Sequence, residues 1–166
     1  MKLSFRGPQA WGLLVALVGL ALDQLHKWWM VGSFDLADRG RVALLPWLDM
    51  VMTWNHGVSY GLFTQDSTGG RYALIAVGVL GTLAFLWWLA TTNRVLPALS
   101  LGLIAGGALS NAIDRLHYGA VADFFLFHVG SFQWYVFNLA DVWICAGVVG
   151  MALSWMTERR ENATVA

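Results

Sequence analysis

Four long apolar stretches, each bounded by polar or aromatic positions, set the rhythm of the chain. The first covers residues 10 to 31 and is interrupted only by Asp23, Gln24, His26 and Lys27. The second, residues 72 to 90, holds no charge. The third runs from 98 to about 113, and the fourth from about 134 to 156, with Asn138 and Asp141 one turn apart near its start. A bilayer core is crossed by about 20 predominantly apolar helical residues. The pattern therefore predicts an all-α polytopic membrane protein with four transmembrane helices, forming a single membrane domain over residues 1 to 166. Lys2 and Arg6 ahead of the first run resemble the start of a signal peptide. The run is too long for that, and no small-x-small site closes it, so it reads as a retained helix.

Residues 32 to 70 break the rhythm. This is the only long polar segment, and it carries Pro46 and several Asp and Gly residues. It also contains short alternating pieces at 41 to 45 and 48 to 54. Alternation with period two predicts short strands, and hence a small extracytoplasmic β-rich flap between helices one and two. Within it, Trp54-Asn55-His56-Gly57-Val58-Ser59-Tyr60-Gly61 places two glycines around polar and aromatic side chains. Such spacing lets a loop approach another backbone or a ligand, and it equally suits a plain turn.

Composition agrees with the membrane reading. Hydrophobic residues make up 58% of the chain and charged residues 12%, against about 45–50% and about 25% in an ordinary soluble domain. A net charge of zero gives no ground for a nucleic-acid partner. Lys2, Arg6, Arg94, Arg159 and Arg160 flank the runs at the termini and the short 91 to 97 turn, whereas the long loop holds Arg39 and Arg41. The positive-inside rule then places both termini in the cytoplasm and the loop outside. Trp11, Trp87, Trp88 and Trp155 would mark the inner interface, and Trp28, Trp29 and Trp134 the outer one. The single cysteine, Cys145, cannot form an internal disulfide and sits in an apolar run, where its thiol is expected to be inert. The histidines, His26, His56, His117 and His128, have no metal-ligand spacing. No metal or organic cofactor is expected.

With four spans in this orientation, the polar residues gather at one level of the membrane. Asp23 and Lys27 are four apart on one helix face and can neutralise each other, which favours a structural ion pair. Asn111, Asp114 and Arg115 share a face at the end of helix three. Asp123 and Asp141 have no nearby cation in sequence. An ionisable group in a membrane is a functional hypothesis by default. If these two carboxyls meet, both cannot ionise comfortably, and the pair holds one proton as a unit. That provides an acid and a base in one place, as in aspartic proteases. A small proton-coupled transporter would use paired carboxylates equally well. Serine chemistry is disfavoured, because no Ser stands in a G-x-S-x-G setting beside a candidate His.

Five motifs, taken in order, carry a family resemblance. Asp23-Gln24-x-x-Lys27, Asn55-x-Gly57-x-x-x-Gly61, Gly106-Gly107-Ala108-x-x-Asn111-x-x-Asp114-Arg115, Val121-x-Asp123-Phe124 and Phe137-Asn138-Leu139-Ala140-Asp141 together resemble the motif set of the bacterial lipoprotein signal peptidases, the type II signal peptidases. The resemblance implies an intramembrane aspartic endopeptidase of the bacterial inner membrane, with its active site near the periplasmic face. Its substrate would be a diacylglyceryl-modified prolipoprotein, cut just before the lipidated cysteine. By the same resemblance Asp123 and Asp141 are catalytic and Asn55, Asn111, Arg115 and Asn138 contact substrate. Asp23, Lys27, Gly57 and Asp114 would support the site. The remaining partners would be membrane lipids and a globomycin-like inhibitor, and the chain is expected to be a monomer. Two departures stand out. Residues 55 to 60 read Asn-His-Gly-Val-Ser-Tyr where the family commonly has Asn-Thr-Gly-Ala-Ala-Phe, and Ala122 replaces a frequent branched residue.

Overall fold

The computed structural model describes residues 7–57 and 68–165. The described part is mostly helical, with a small antiparallel sheet. Helix α1 (Pro8–Trp28) opens on a proline in its first turn, where the missing N–H costs nothing. It continues as a π-helical turn, Trp29–Ser33. A single helical turn, α2 (Leu36–Arg39), leads into strands β1 (Val42–Leu45) and β2 (Leu48–Asn55). Helices α3 (Thr68–Thr91) and α4 (Val95–His117) follow as a hairpin. Strands β3 (Val121–Val129) and β4 (Phe132–Phe137) then precede α5 (Leu139–Val165). Four helical segments, Pro8–Ser33, Thr68–Thr91, Val95–His117 and Leu139–Arg160, are long and apolar enough to cross a membrane.

Helix α4 is the axis of the bundle, and it packs against α1, α3 and α5. Small residues make this possible. The buried stripe of α1 is Gln9, Gly12, Ala16, Gly19, Asp23 and Lys27. A Cβ added at Gly102 of α4 would overlap the Gly12 carbonyl oxygen, and one at Gly106 would sit 2.5 Å from the Ala16 carbonyl oxygen. Lipid offers no hydrophobic incentive for helices to associate, so close backbone approach of this kind is what draws them together. The outward faces of α3 and α5, including Leu80, Leu83, Val148 and Leu153, are apolar and exposed, as a lipid-facing surface requires.

The sheet has strand order β1-β2-β3-β4, with every neighbour antiparallel. Two strands fall in residues 42 to 55, where alternation predicted them. The other two come from the connection between α4 and α5, so the β structure is not confined to the segment between the first two long helices. This also corrects the expected start of the fourth span: residues 134 to 137 belong to β4, and α5 begins at Leu139. Helix α4 runs past the expected limit near 113 to His117, so Asp114 and Arg115 are helical. The sheet packs on the end of α1 through Met30, Leu36, Met50, Ala122 and Phe124. Asp49 is buried between Arg41 and His128, whose Nε2 lies 3.0 Å from Asp49 Oδ2, tying β2 to β3.

Candidate active site

Two structural devices bring Asp123 and Asp141 to one place. In the sheet, Thr53 stands opposite Asp123 and Asn55 opposite Val121. Asn55 is therefore a diagonal neighbour of Asp123 on the same sheet face, and its Nδ2 donates to Asp123 Oδ2 at 3.1 Å. At α5, Asn138 immediately precedes the helix. Its Oδ1 accepts from the Asp141 N–H at 3.0 Å, while its own N–H donates to Asp141 Oδ2 at 3.1 Å. This reciprocal arrangement is a capping box, in which two otherwise orphaned helix donors are satisfied together. The cap fixes the rotamer of Asp141 as a by-product of starting the helix.

Asn138 does more than cap. Its Nδ2 donates to Asp123 Oδ1 at 2.6 Å, and to Asn111 Oδ1 at 3.2 Å. Asn111 Nδ2 in turn donates to Asp141 Oδ1 at 3.1 Å. Each carboxylate thus accepts from two of the three asparagines or their backbone, and Asn138 touches both. Asp123 is buried. Its carboxyl is pushed up to about 7, first by burial and then by the neighbouring Asp141 charge, against the pull of Asn55 and Asn138.

Both aspartates line a cavity of about 220 Å³ together with Asn55, Asn111 and Arg115. Its other walls are apolar: Leu74, Val77 and Gly78 from α3, Ala108 from α4, Val121 from β3 and Ile144 from α5. Asp141 also reaches a second hollow of about 420 Å³, lined by Trp134, Tyr135, Phe137, Val142, Cys145, Ala146 and Val149. Among the described residues, no group of three or more His, Cys, Asp or Glu side chains is placed to hold a metal ion.

Behind the pair lies a buried ionic cluster. Lys27 Nζ is 2.8 Å from Asp23 Oδ2 and 2.7 Å from Asp114 Oδ2, and it donates to Asn111 Oδ1 at 3.0 Å. Its three protons are all used. Asp23 Oδ1 accepts the N–H of Ala140 at 2.9 Å, and Asp114 Oδ2 accepts the N–H of Ala122 at 3.1 Å. Ala140 and Ala122 are the residues immediately before Asp141 and Asp123. One ammonium therefore holds two carboxylates, and each of those clamps the backbone just ahead of one site aspartate.

The signal peptidase (SPase) II family model matches residues 15–157. The chain belongs to the signal peptidase II family. A lipoprotein signal peptidase of Beijerinckia indica is 47% identical over 150 residues, covering 90% of each chain. One from Methylorubrum extorquens is 49% identical over 142 residues, covering 86% of this chain and 83% of its own. Two solved structures, both described as bacterial membrane enzymes, share the fold. One has a TM-score of 0.77 at 20% identity, covering 89% of this chain and 88% of its own. The other has a TM-score of 0.73 at 21% identity, covering 87% and 91%. Membership of a peptidase family leaves the transporter reading of the same carboxylates without support.

The sequence-marked residues of this signal peptidase II chain fall into three groups. Asn55, Asn111, Arg115, Asp123 and Asp141 face the cavity, and Asn138 links the two aspartates from behind. Asp23, Lys27 and Asp114 form the buried cluster. Gly57 receives Arg115: Nη2 donates to the Gly57 carbonyl at 2.6 Å and Nη1 to the Asn111 carbonyl at 3.1 Å. Arg115 does not pair with its neighbour Asp114, which Lys27 holds. Residues 58 to 61 of the glycine motif, and Lys2 and Arg6, lie outside the described residues. Sequence reasoning missed Ser110, whose hydroxyl donates to Asp23 Oδ2 at 2.6 Å, and gave no role to Gln24, which donates to Asp114 Oδ1 at 2.8 Å. It also missed the apolar cavity wall on α3, since nothing in an uncharged span marks its inward face.

Proposed function

We propose that the chain is an intramembrane aspartic endopeptidase that removes signal peptides from diacylglyceryl-modified prolipoproteins, cutting before the lipidated cysteine. The observation that carries the reading is that Asp123 and Asp141 line one cavity and are joined through Asn138. The chemistry follows from a pair that shares one proton. Asp123, with its carboxyl raised to about 7, holds the shared proton. Ionised Asp141 takes a proton from a water, whose oxygen attacks the scissile carbonyl carbon. Asp123 gives its proton to the carbonyl oxygen as the tetrahedral diol forms. The C–N bond then breaks: Asp141 passes its proton to the leaving nitrogen, and a diol hydroxyl returns one to Asp123. The pair ends as it began, and no cofactor takes part.

Asn55, Asn111 and Arg115, which line the cavity, hold the substrate backbone beside the pair, and the buried Asn138, also marked as a substrate contact by the family resemblance, acts by positioning both aspartates. Asp23, Lys27, Gly57 and Asp114 keep those groups in place. The apolar walls on α3, α4 and α5 suit a substrate that arrives from within the bilayer. The whole chain, residues 1 to 166, acts as one multi-pass domain of the bacterial inner membrane. Both termini are cytoplasmic, the site lies near the periplasmic face, and the protein works as a monomer that globomycin-like inhibitors block.

The test is incubation of purified protein with a diacylglyceryl-modified precursor and with its unmodified twin, each with and without globomycin. Release of the signal peptide from the lipidated form alone, blocked by globomycin, is the expected result. Equal cleavage of both forms would remove the assigned substrate class.

A further inference from the structure

The inward stripe of α3 begins with a cation. Arg71, Leu74, Ile75, Gly78 and Thr82 are shielded positions on a helix whose other residues in this stretch are mostly exposed. Leu74 and Gly78 line the cavity of the aspartates, and Arg71 precedes Leu74 by three residues on the same face, about 4.5 Å along the helix axis. Its guanidinium lies 5.2 Å from the Tyr72 ring centroid. It also rests on the turn from α4 to β3: a Cβ at Gly119, where φ is +86°, would sit 3.2 Å from Arg71 Nη1. Val121, two residues beyond that glycine, is another cavity residue. Arg71 therefore stands where α3 and the α4–β3 turn meet, next to cavity residues of both elements.

Among the described residues this guanidinium is short of acceptors. Its Nε is buried and has no hydrogen-bond partner among the described residues. None of the ion pairs among those residues involves it. Of the other cations near the site, Lys27 is held by two carboxylates and Arg115 already donates to two carbonyls. A buried donor without an acceptor costs free energy, which an incoming acceptor recovers. The fixed fork of Arg suits paired oxygen acceptors. In the proposed reaction, the diacylglyceryl group is attached to the cysteine at the scissile bond. Its ester carbonyls therefore arrive tethered to the residue whose amide is cut.

We propose that Arg71 is a substrate-binding residue that donates hydrogen bonds to the acyl ester carbonyl oxygens of the diacylglyceryl group beside the cavity. The inference rests on the prolipoprotein reading above and adds to it the group that recognises the lipid. Its test is steady-state kinetics on two precursors, one carrying the diacylglyceryl group and the other a dialkylglyceryl ether that lacks both carbonyls. The purified wild-type protein is compared with Arg71→Gln and Arg71→Lys, with thermal unfolding recorded for each. Loss of a hydrogen bond to a charged donor predicts a KM about tenfold higher or more. Wild-type protein should show this rise on going from ester to ether, with kcat within about twofold. Arg71→Gln should show the same rise on the ester substrate and cease to distinguish the two, and Arg71→Lys should fall between.

An Arg71→Gln variant with unchanged KM would overturn the proposal. So would one whose KM rises equally on both substrates, the result expected if the guanidinium holds a phospholipid phosphate or only supports the fold. Should Arg71→Gln fail to fold, the wild-type comparison still decides, since equal KM for ester and ether refutes the assignment. Cleavage of neither precursor by wild-type protein would instead bring down the functional reading, and this inference with it.

Discussion

Lys27 is among the largest fully buried side chains, and its neighbours explain why it is tolerated. Removing one partner of a buried ion cluster leaves uncompensated charge, at a cost of about 3–5 kcal/mol. Lys27→Ala should therefore lower the unfolding midpoint sharply, because Asp23 and Asp114 would face each other without a cation. Activity should fall in proportion to folded protein, as read by turnover per folded molecule; complete loss of turnover with unchanged melting would mean that Lys27 takes part in chemistry. Asp123 gives a prediction with a pH axis. Its folded carboxyl sits near 7, well above the ordinary carboxylate value of 3.8. Between those values the folded state keeps a proton that the unfolded state has lost, so folding stability declines as pH rises from about 4 to about 7, then levels off. Asp123→Asn cannot ionise. Its unfolding midpoint relative to wild type should shift upward with pH across that window, by the equivalent of at most about 4 kcal/mol, and a pH-independent difference would count against the raised carboxyl. Turnover by wild-type protein should also decline as pH passes above about 7, where Asp123 loses the proton it donates.

At the scale of elements, the site depends on how closely α4 approaches α5. A Cβ at Gly107 would lie 2.6 Å from the Ala140 carbonyl oxygen and 2.8 Å from Ile144 Cγ1. Gly107→Ala should push away the first turn of α5, which carries Asp141, costing about 1–3 kcal/mol of stability and at least about tenfold in turnover. Gly81→Ala, with open space around it, serves as the matched control and should leave both within error. The elements differ in how plainly the sequence announces them. Strands β1 and β2 alternate enough to be read directly, and the four apolar runs are unambiguous. Strand β3 was not legible as a strand, because it is buried on both faces through Ala122, Asp123, Phe124 and Leu126 and so loses its period-two signal. Strand β4 was absorbed into the following apolar run, since Trp134 and Tyr135 suit a membrane interface as well as a sheet. Charged residues were easier to find, because each Asp in a greasy chain demands an explanation. Their assembly was not: nothing along the chain says that Asp23 binds the amide before Asp141, or Asp114 the amide before Asp123. Such contacts join residues far apart in sequence and use backbone donors that no motif names.

For the whole molecule, the proposed orientation makes a labelling prediction. In a Cys145→Ala background, a cysteine at position 47, in the β1–β2 turn, should react with an impermeant thiol reagent in intact spheroplasts. One at position 93, between α3 and α4, should react only after permeabilisation. The reverse pattern would invert the topology and move the site to the cytoplasmic face. Orientation, cavity and cluster all serve one claim, that two aspartates divide the labour of acid and base on a lipid-anchored precursor. The most direct measurement is single-turnover cleavage of a diacylglyceryl-modified precursor by purified wild-type, Asp123→Asn and Asp141→Asn proteins, each verified as folded by its thermal transition. The account predicts signal-peptide release by wild-type protein and a rate at least about a thousandfold lower in each variant. Release at the wild-type rate by either folded variant would contradict it.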